Sequence, residues 1–212
     1  MPGSSRFEEI QEKVWKAIVK KGSEDTSQAL QSLLNKPIQM TSAIMGFLPI
    51  SKILFLTGEP DRVVTCARLV FSGDIEGHMF LILPLKSWEE CKNLLLKGIE
   101  QPAPELEISA FAEMANIACS FFVSTLANMT GLTIHFTPPE VLTEMAAAVF
   151  EETLIQLSSE TQELLTIETT FFSQDSEIKG FFFFIPFPSS IKVMTQRFLQ
   201  TTPSSGLDWS GE

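Results

Sequence analysis

The hydrophobic pattern of the chain switches between two periods. In some segments apolar residues recur every three or four positions, as on one face of an amphipathic helix. In others, short apolar runs bounded by glycine, proline or polar residues are typical of strands. Gly22 and Gly131 are expected to end the helices that precede them. The predicted helices cover residues 7–21, 23–34, 88–99, 108–130, 141–157 and 191–199. The predicted strands cover residues 53–56, 62–71, 77–83, 132–136, 164–172 and 180–187.

The order of elements repeats on either side of a proline-containing linker at residues 101–104. When the sequence is shifted by 96 positions, Asn35 coincides with Gly131 and Ile38 with Ile134. The segments DIEGHMFLILP and SEIKGFFFFIP each combine a charged turn, a glycine and an apolar strand, as expected for strands buried on both faces. This predicts an internal duplication, with pseudo-repeats at about 7–100 and 105–200 related by a pseudo-two-fold. We expect one sheet, one core and a single domain of residues 1–212, with a flexible tail at 201–212.

The composition is that of a folded protein of 212 residues, since 44% of them are hydrophobic and 19% charged. The start of the chain has no apolar segment typical of a secretion signal, and no apolar run approaches the ~20 residues of a membrane span. Three cysteines without a paired spacing, Cys66, Cys91 and Cys119, fit a reducing cytoplasm and small buried side chains. The net charge of −11 argues against nucleic acid or anionic lipid as a partner.

The signatures of common enzymes are missing from the sequence. His78 and His135 lie far apart and in no metal-binding spacing, so no metal site is expected in this chain. The glycine-rich loops that bind nucleotide phosphates and the GxSxG turn of hydrolases are also absent. Function is therefore expected to depend on a less common arrangement of side chains.

The segment SAFAEMANIACSFF at residues 109–122 carries polar groups within an apolar helix. At about 100° per residue, its short polar side chains and the next serine fall within a wedge of roughly 80°. They are Ser109, Glu113, Asn116, Ser120 and Ser124. The far side of the helix is expected to consist of Phe111, Met114, Ala118, Phe121, Phe122 and Met129. The polar stripe fits a solvated helix face, but such faces usually carry long charged residues, and a short-chained, flat face also suits close contact with another protein.

Three of these positions, Ser109, Glu113 and Asn116, form with Pro138 the spacing Ser-x3-Glu-x2-Asn-x21-Pro. The spacing resembles the active-site pattern of the CheC family of response-regulator phosphatases, which are relatives of CheX and FliY. Beyond the pattern itself, QALQSLLNKPI, FLPISKILFL, SGDIEG and FFFFIPFP resemble strings in family members. The resemblance implies an α+β fold in which duplicated halves share one largely antiparallel sheet with helices packed on it.

The resemblance also implies an enzyme that hydrolyses the aspartyl phosphate of a CheY-like response regulator. Asn116 would reach into the partner's site and hold the attacking water, while Glu113 would bind the partner's active-site lysine. Ser109 is expected to orient Glu113, and Pro138 to shape the adjoining loop, although helix-start polarity and an ordinary turn proline explain these two residues equally well. No cofactor is expected in this chain, because the Mg²⁺ of the reaction belongs to the response regulator.

The first half of the chain lacks the motif. With the shift of 96, its counterparts of Ser109, Glu113, Asn116 and Pro138 are Lys13, Ala17, Lys20 and Ser42. No asparagine occurs before Asn35, so a different alignment cannot restore the pair. The first site is therefore expected to be degenerate. An alternative function is a non-catalytic adaptor that binds a response regulator or a CheD-like deamidase.

Overall fold

The computed structural model describes residues 2–158, 161–174, 176 and 178–201. The helices are α1 (Pro2–Leu34), α2 (Ile50–Ile53), α3 (Leu85–Leu95), α4 (Pro104–Thr130), α5 (Ala146–Ser158) and α6 (Pro188–Thr201). The strands are β1 (Gln39–Pro49), β2 (Val63–Gly73), β3 (Gly77–Pro84), β4 (Ile134–Phe136), β5 (Glu140–Met145), β6 (Glu163–Phe172) and β7 (Lys179–Pro186). Thr201 is helical, and the rest of the expected flexible tail lies outside the described residues.

The strands form one antiparallel sheet in the order β1-β6-β7-β3-β2-β4, with β5 also paired to β2. Each half contributes one hairpin to the centre, β2–β3 from the first half and β6–β7 from the second. Reading the strand order from the β4 edge and exchanging the strands of the two halves gives the same order as reading it from the β1 edge. This is the topology that the predicted duplication requires. The α+β fold with a largely antiparallel sheet is confirmed.

Helices cover both faces of the sheet. One apolar cluster joins the sheet to α1, α3, α4 and α6, and a second joins the opposite face to α2 and α5. Neighbouring residues of β7 alternate between them: Phe182 and Phe184 belong to the first cluster, Phe181 and Phe183 to the second. The burial of β3 and β7 on both faces agrees with their apolar sequences, but the packing forms two clusters where one core was expected.

The helix α1 is continuous, so the prediction that Gly22 ends it was wrong. A Cβ atom added to Gly22 would lie 2.7 Å from the ring of Phe122 on α4, so glycine allows close approach of the two helices here. With the shift of 96, Gly22 corresponds to Ala118 and Thr26 to Phe122. The Thr26 hydroxyl donates to the Ala118 carbonyl at 3.4 Å, so the two contacts are related by a pseudo-two-fold across the α1–α4 pair.

Three further predictions about elements were wrong. Residues 53–56 lie in α2 and the turn after it, not in a strand, and β1 was not predicted at all. Residues 141–145 form most of β5, where the start of a helix was expected. β5 pairs with β2 from Val63↔Met145 to Arg68↔Glu140. The backbone ladder with β2 therefore overrides the helical preference of this segment.

Candidate functional site

The helix α4 is fixed at both ends. Pro104 begins it, where the missing N–H interrupts no helical hydrogen bond, and acidic residues in the first turn favour the positive end of the helix dipole. Gly131 ends it, as predicted, in the left-handed conformation at φ 66°. By length and composition α4 could cross a membrane, contrary to expectation, but 50% of its apolar window is buried inside the protein, as in a core helix.

The polar stripe of α4 faces outward. Ser109, Glu113 and Ser124 are exposed, and Asn116 and Ser120 are half-buried. On the opposite side of the helix, the predicted packing residues Phe111, Met114, Ala118 and Phe122 are buried in the cluster shared with α1. Phe121 is an exception, because 47% of it is exposed.

The four residues of the sequence motif lie around one open depression of about 450 Å³. Its wall on one side is α4, and on the other the segment after β4. The lining residues are Ser109, Ala112, Glu113, Asn116, Phe136, Thr137, Pro138 and Pro139. The fold thus brings Pro138 to the side chains of Glu113 and Asn116 across 21 intervening residues.

The side chains of Glu113 and Asn116 have no hydrogen-bond or ion-pair partner among the described residues. A carboxylate accepts hydrogen bonds, and a carboxamide both donates and accepts them without titrating. The pair therefore presents unused donor and acceptor groups to whatever enters the depression.

Ser109 does not orient Glu113 in the structure. Its hydroxyl donates to the carbonyl of Glu105, one turn back, at 2.8 Å. The hydroxyl of Ser120 likewise donates to the carbonyl of Asn116 at 2.6 Å. Because the Ser109 proton is committed to the helix backbone, it is not available to the Glu113 carboxylate.

The opposite wall of the depression is held by the sheet. Phe136 pairs with Phe71 where β4 joins β2. The next residue, Thr137, makes two bonds to Val70: its N–H donates to the Val70 carbonyl at 2.9 Å, and its hydroxyl accepts from the Val70 N–H at 3.1 Å. Pro138 is therefore held by its neighbour at a fixed place opposite α4.

Comparisons with known proteins add to this geometry. Residues 65–160, which include Glu113, Asn116 and Pro138, match the model of the family described as chemotaxis phosphatase CheX. The chain is 28% identical over 172 residues to the CheY-P phosphatase CheC of Bacillus subtilis, covering 78% of this chain and 82% of that protein. Its structure resembles Thermotoga maritima FliY with a TM-score of 0.69 and 16% identity, over 92% of this chain and 98% of that one. The chain is thus similar in sequence to CheX and CheC, and similar in fold to FliY.

This CheC-like chain also shares its fold with FliM. The FliM chain in a FliG–FliM complex from H. pylori matches with a TM-score of 0.61 and 12% identity, over 88% of this chain and 97% of that one. At such an identity the likeness concerns the fold alone. The sequence similarity is thus to chemotaxis phosphatases, while the fold also occurs in FliM.

The first half of the CheC-like chain differs at the equivalent positions. Ala17 is half-buried and packs against the core cluster, whereas its counterpart Glu113 is exposed. Lys13 and Lys20 are exposed. Ser42 lies in β1, and its side chain is outside the described part of the structure. In the first half, lysine side chains and a packed alanine therefore stand where the second half presents its carboxylate and amide.

Proposed function

We propose that this chain is a phosphatase that hydrolyses the aspartyl phosphate of a CheY-like response regulator at the Glu113/Asn116 site. The observation that carries the proposal is the placement of these two unpartnered side chains, with Pro138, around one open depression. Sequence similarity to the chemotaxis phosphatases CheX and CheC supports it. A cytoplasmic location belongs to the same proposal, because its substrate is a cytoplasmic signalling protein.

Asn116 is the group that we assign to the attacking water. Phosphoryl transfer requires mainly the positioning of an in-line nucleophile and stabilisation of charge on the phosphoryl oxygens. A carboxamide can accept a hydrogen bond from a water and donate one to the phosphate, as a glutamine does in some GTPases. Asn116 is half-buried on α4, so the helix restricts its side chain while part of the amide stays accessible to an approaching protein. An ordering group of this kind is worth about 10²-fold in rate.

Glu113 is the group that we assign to binding. It lies almost one turn before Asn116 on the same face of α4, so both point toward the same partner. An exposed carboxylate can accept a charge-assisted hydrogen bond from a lysine ammonium of the response regulator. This bond would fix the position of the partner while Asn116 reaches the phosphate.

The response regulator supplies the remaining chemistry in this proposal. Its Mg²⁺ would supply charge neutralisation at the phosphoryl oxygens, and the proposal assigns no cofactor to this chain. Pro138 and its neighbours limit the depression on the side facing α4, so the partner's phosphorylated loop has a defined width to enter. Ser109 is assigned to this wall and not to chemistry, since its hydroxyl donates to the helix backbone.

The test is phosphate release from a phosphorylated CheY-like receiver with wild type, Asn116→Ala and Glu113→Ala. Asn116→Ala is expected to lower kcat by about 10²-fold with little change in affinity. Glu113→Ala is expected to weaken binding and turnover together. Ser124→Ala, an exposed serine on the same helix but outside the depression, is the matched control. Wild-type turnover by Asn116→Ala would overturn the catalytic assignment.

A second candidate function is a non-catalytic adaptor for a response regulator or a CheD-like protein. The resemblance in fold to FliM in its complex with FliG favours it, as does the loss of the motif in the first half. An adaptor would bind the receiver with and without Asn116 and release no phosphate. The same assay therefore separates the two functions.

A further inference from the structure

A second depression, of about 520 Å³, lies between α1 and α4 on the flank of α4 away from Pro138. We refer to it as the α1–α4 groove. Its most exposed apolar side chain is Phe121, of which 47% is exposed to solvent. The lining residues are Gln28, Ala29, Ser32, Leu33, Ile117 and Phe121.

We propose that the α1–α4 groove binds an apolar side chain of the same receiver protein whose phosphate is presented to Asn116. The inference rests on the proposed function in one respect: the receiver must approach α4 at Glu113 and Asn116. Beyond the proposed function, the inference assigns the apolar contact of the complex to Ile117 and Phe121.

The groove lies within reach of such a complex. Ile117 is one helical turn after Glu113, and Phe121 one turn further, about 12 Å along α4 from Glu113. A protein–protein interface of ordinary size covers about 800 Å² on each partner, a patch about 30 Å across. A receiver centred on Asn116 would therefore cover both side chains.

The chemistry of the groove complements that of the polar stripe. Stable interfaces combine a desolvated core, in which aromatic side chains are enriched, with a polar rim. Glu113 and Asn116 supply orientation, but they bury little apolar area. Phe121 is an aromatic side chain fixed on a helix, so its burial under a partner would cost little conformational entropy.

Comparison of the two halves shows that helix packing does not require this apolar pair. With the shift of 96, Ile117 corresponds to Lys21 and Phe121 to Asp25. Lys21 and Asp25 form an ion pair at 2.6 Å, and Asp25 also accepts a hydrogen bond from Thr125 at 2.7 Å. The α1–α4 contact therefore forms with a polar pair, Lys21 and Asp25, at the position that corresponds to Ile117 and Phe121. The apolar pair and the Glu/Asn pair occur together in the second half.

The experiment measures both binding and turnover of a CheY-like receiver. Binding is measured with the receiver held in its active form by beryllofluoride, and turnover as phosphate release. Phe121→Ala is expected to raise Kd and KM by about 30-fold and to leave kcat at saturating receiver unchanged. Ile117→Lys/Phe121→Asp, which copies the first-half pair, is expected to abolish measurable binding while the protein stays folded. Ile155→Ala is the control, because Ile155 is 65% exposed on α5, on the opposite face of the sheet.

The outcomes separate this inference from the proposed function. If Phe121→Ala binds and turns over the receiver as wild type does, the groove is not a receiver site, although the phosphatase proposal stands. If the receiver binds in a Phe121-dependent manner without phosphate release, the groove is confirmed and the phosphatase proposal fails. Sedimentation is run in parallel: loss of a dimer in Phe121→Ala with unchanged receiver binding would assign the groove to a second copy of this chain and overturn the inference.

Discussion

At the scale of single residues, the groups proposed to act on the partner are those whose hydrogen-bonding capacity the fold leaves unused. The side chains of Glu113 and Asn116 have no partner among the described residues, whereas those of Ser109 and Thr137 around the same depression are bonded to backbone. The spacing of the motif predicted that Glu113 and Asn116 share one face of α4, because residues three apart on a helix point the same way. It could not predict the bond of Ser109 to Glu105, because a serine hydroxyl chooses among several acceptors of similar energy.

His78 provides a test of how burial couples stability to pH. It is 5% exposed in β3, against Phe80 and Phe187 at ring-centroid distances of 6.2 and 5.5 Å. Burial, and then the charge of Arg68, lower the pKa of His78 from its ordinary 6.5. The folded state thus takes up a proton less readily than the unfolded chain. Stability is therefore complete above about pH 6.5 and falls as the pH drops through the lowered pKa.

We expect His78→Leu to remove this loss of stability on acidification. Urea unfolding between about pH 5 and 8 measures it, because histidine titrates in that range. The protein contains two histidines, and His135, exposed on β4, is the matched control: His135→Leu should keep the wild-type dependence. Equal pH slopes for wild type and His78→Leu would show that another group is responsible.

At the scale of helices and strands, the sequence predicts an element well when one local pattern dominates it. The hairpins β2–β3 and β6–β7 were predicted because apolar runs flanked by turns leave few alternatives. β1 was missed because its sequence, QMTSAIMGFLP, lacks a regular alternation and its pairing with β6 contains an irregularity between Ser42 and Ile44. The exposure of Phe121 was also missed, because periodicity identifies a helix face without specifying how closely a second helix covers it.

The contact between Gly22 and Phe122 makes a prediction about the α1–α4 pair. Alanine favours a helix over glycine by ~1 kcal/mol, which alone would stabilise Gly22→Ala. However, Phe122 is 1% exposed and packs against Phe182 and Phe184 at 5.1 and 5.3 Å, so its ring has no room to move. Overpacking costs about 1–3 kcal/mol. After the helix gain is subtracted, we expect a net loss of up to about 2 kcal/mol in the free energy of unfolding, measured in urea.

A second substitution separates this contact from a general effect on α1. In the Phe122→Leu background the ring is absent, so Gly22→Ala should cost less than it does in wild type. The difference between the two costs is the coupling energy of the pair. A Gly22→Ala protein more stable than wild type by about 1 kcal/mol, the full helix gain, would contradict the close packing of the two helices.

At the scale of the whole molecule, the two halves share a scaffold but differ in the surface they present. The strand order and the contacts 22–122 and 26–118 relate the halves by a pseudo-two-fold. The duplication is a prediction from the recurrence of glycines and apolar strands at similar intervals, and the strand order is compatible with it. The difference in surface could be inferred only in part: Ala17 and Lys20 were visible as replacements, but the burial of Ala17 depends on how α1 meets the core.

The first half should therefore not become active when only its motif is restored. In an Asn116→Ala background, Ala17→Glu/Lys20→Asn is expected to release no more phosphate than Asn116→Ala alone. The new carboxylate would start half-buried against the core, where Glu113 is exposed, and the neighbouring Lys21–Asp25 ion pair would remain in place of an apolar groove. The measurement is phosphate release from a phosphorylated CheY-like receiver, with urea unfolding to verify that the variant is folded. The contradicting result is an increase of about 10-fold over Asn116→Ala, which corresponds to a barrier lower by about 1.4 kcal/mol. Such an increase would show that the first half lacks only the motif, and that the apolar groove is not required for the receiver to dock.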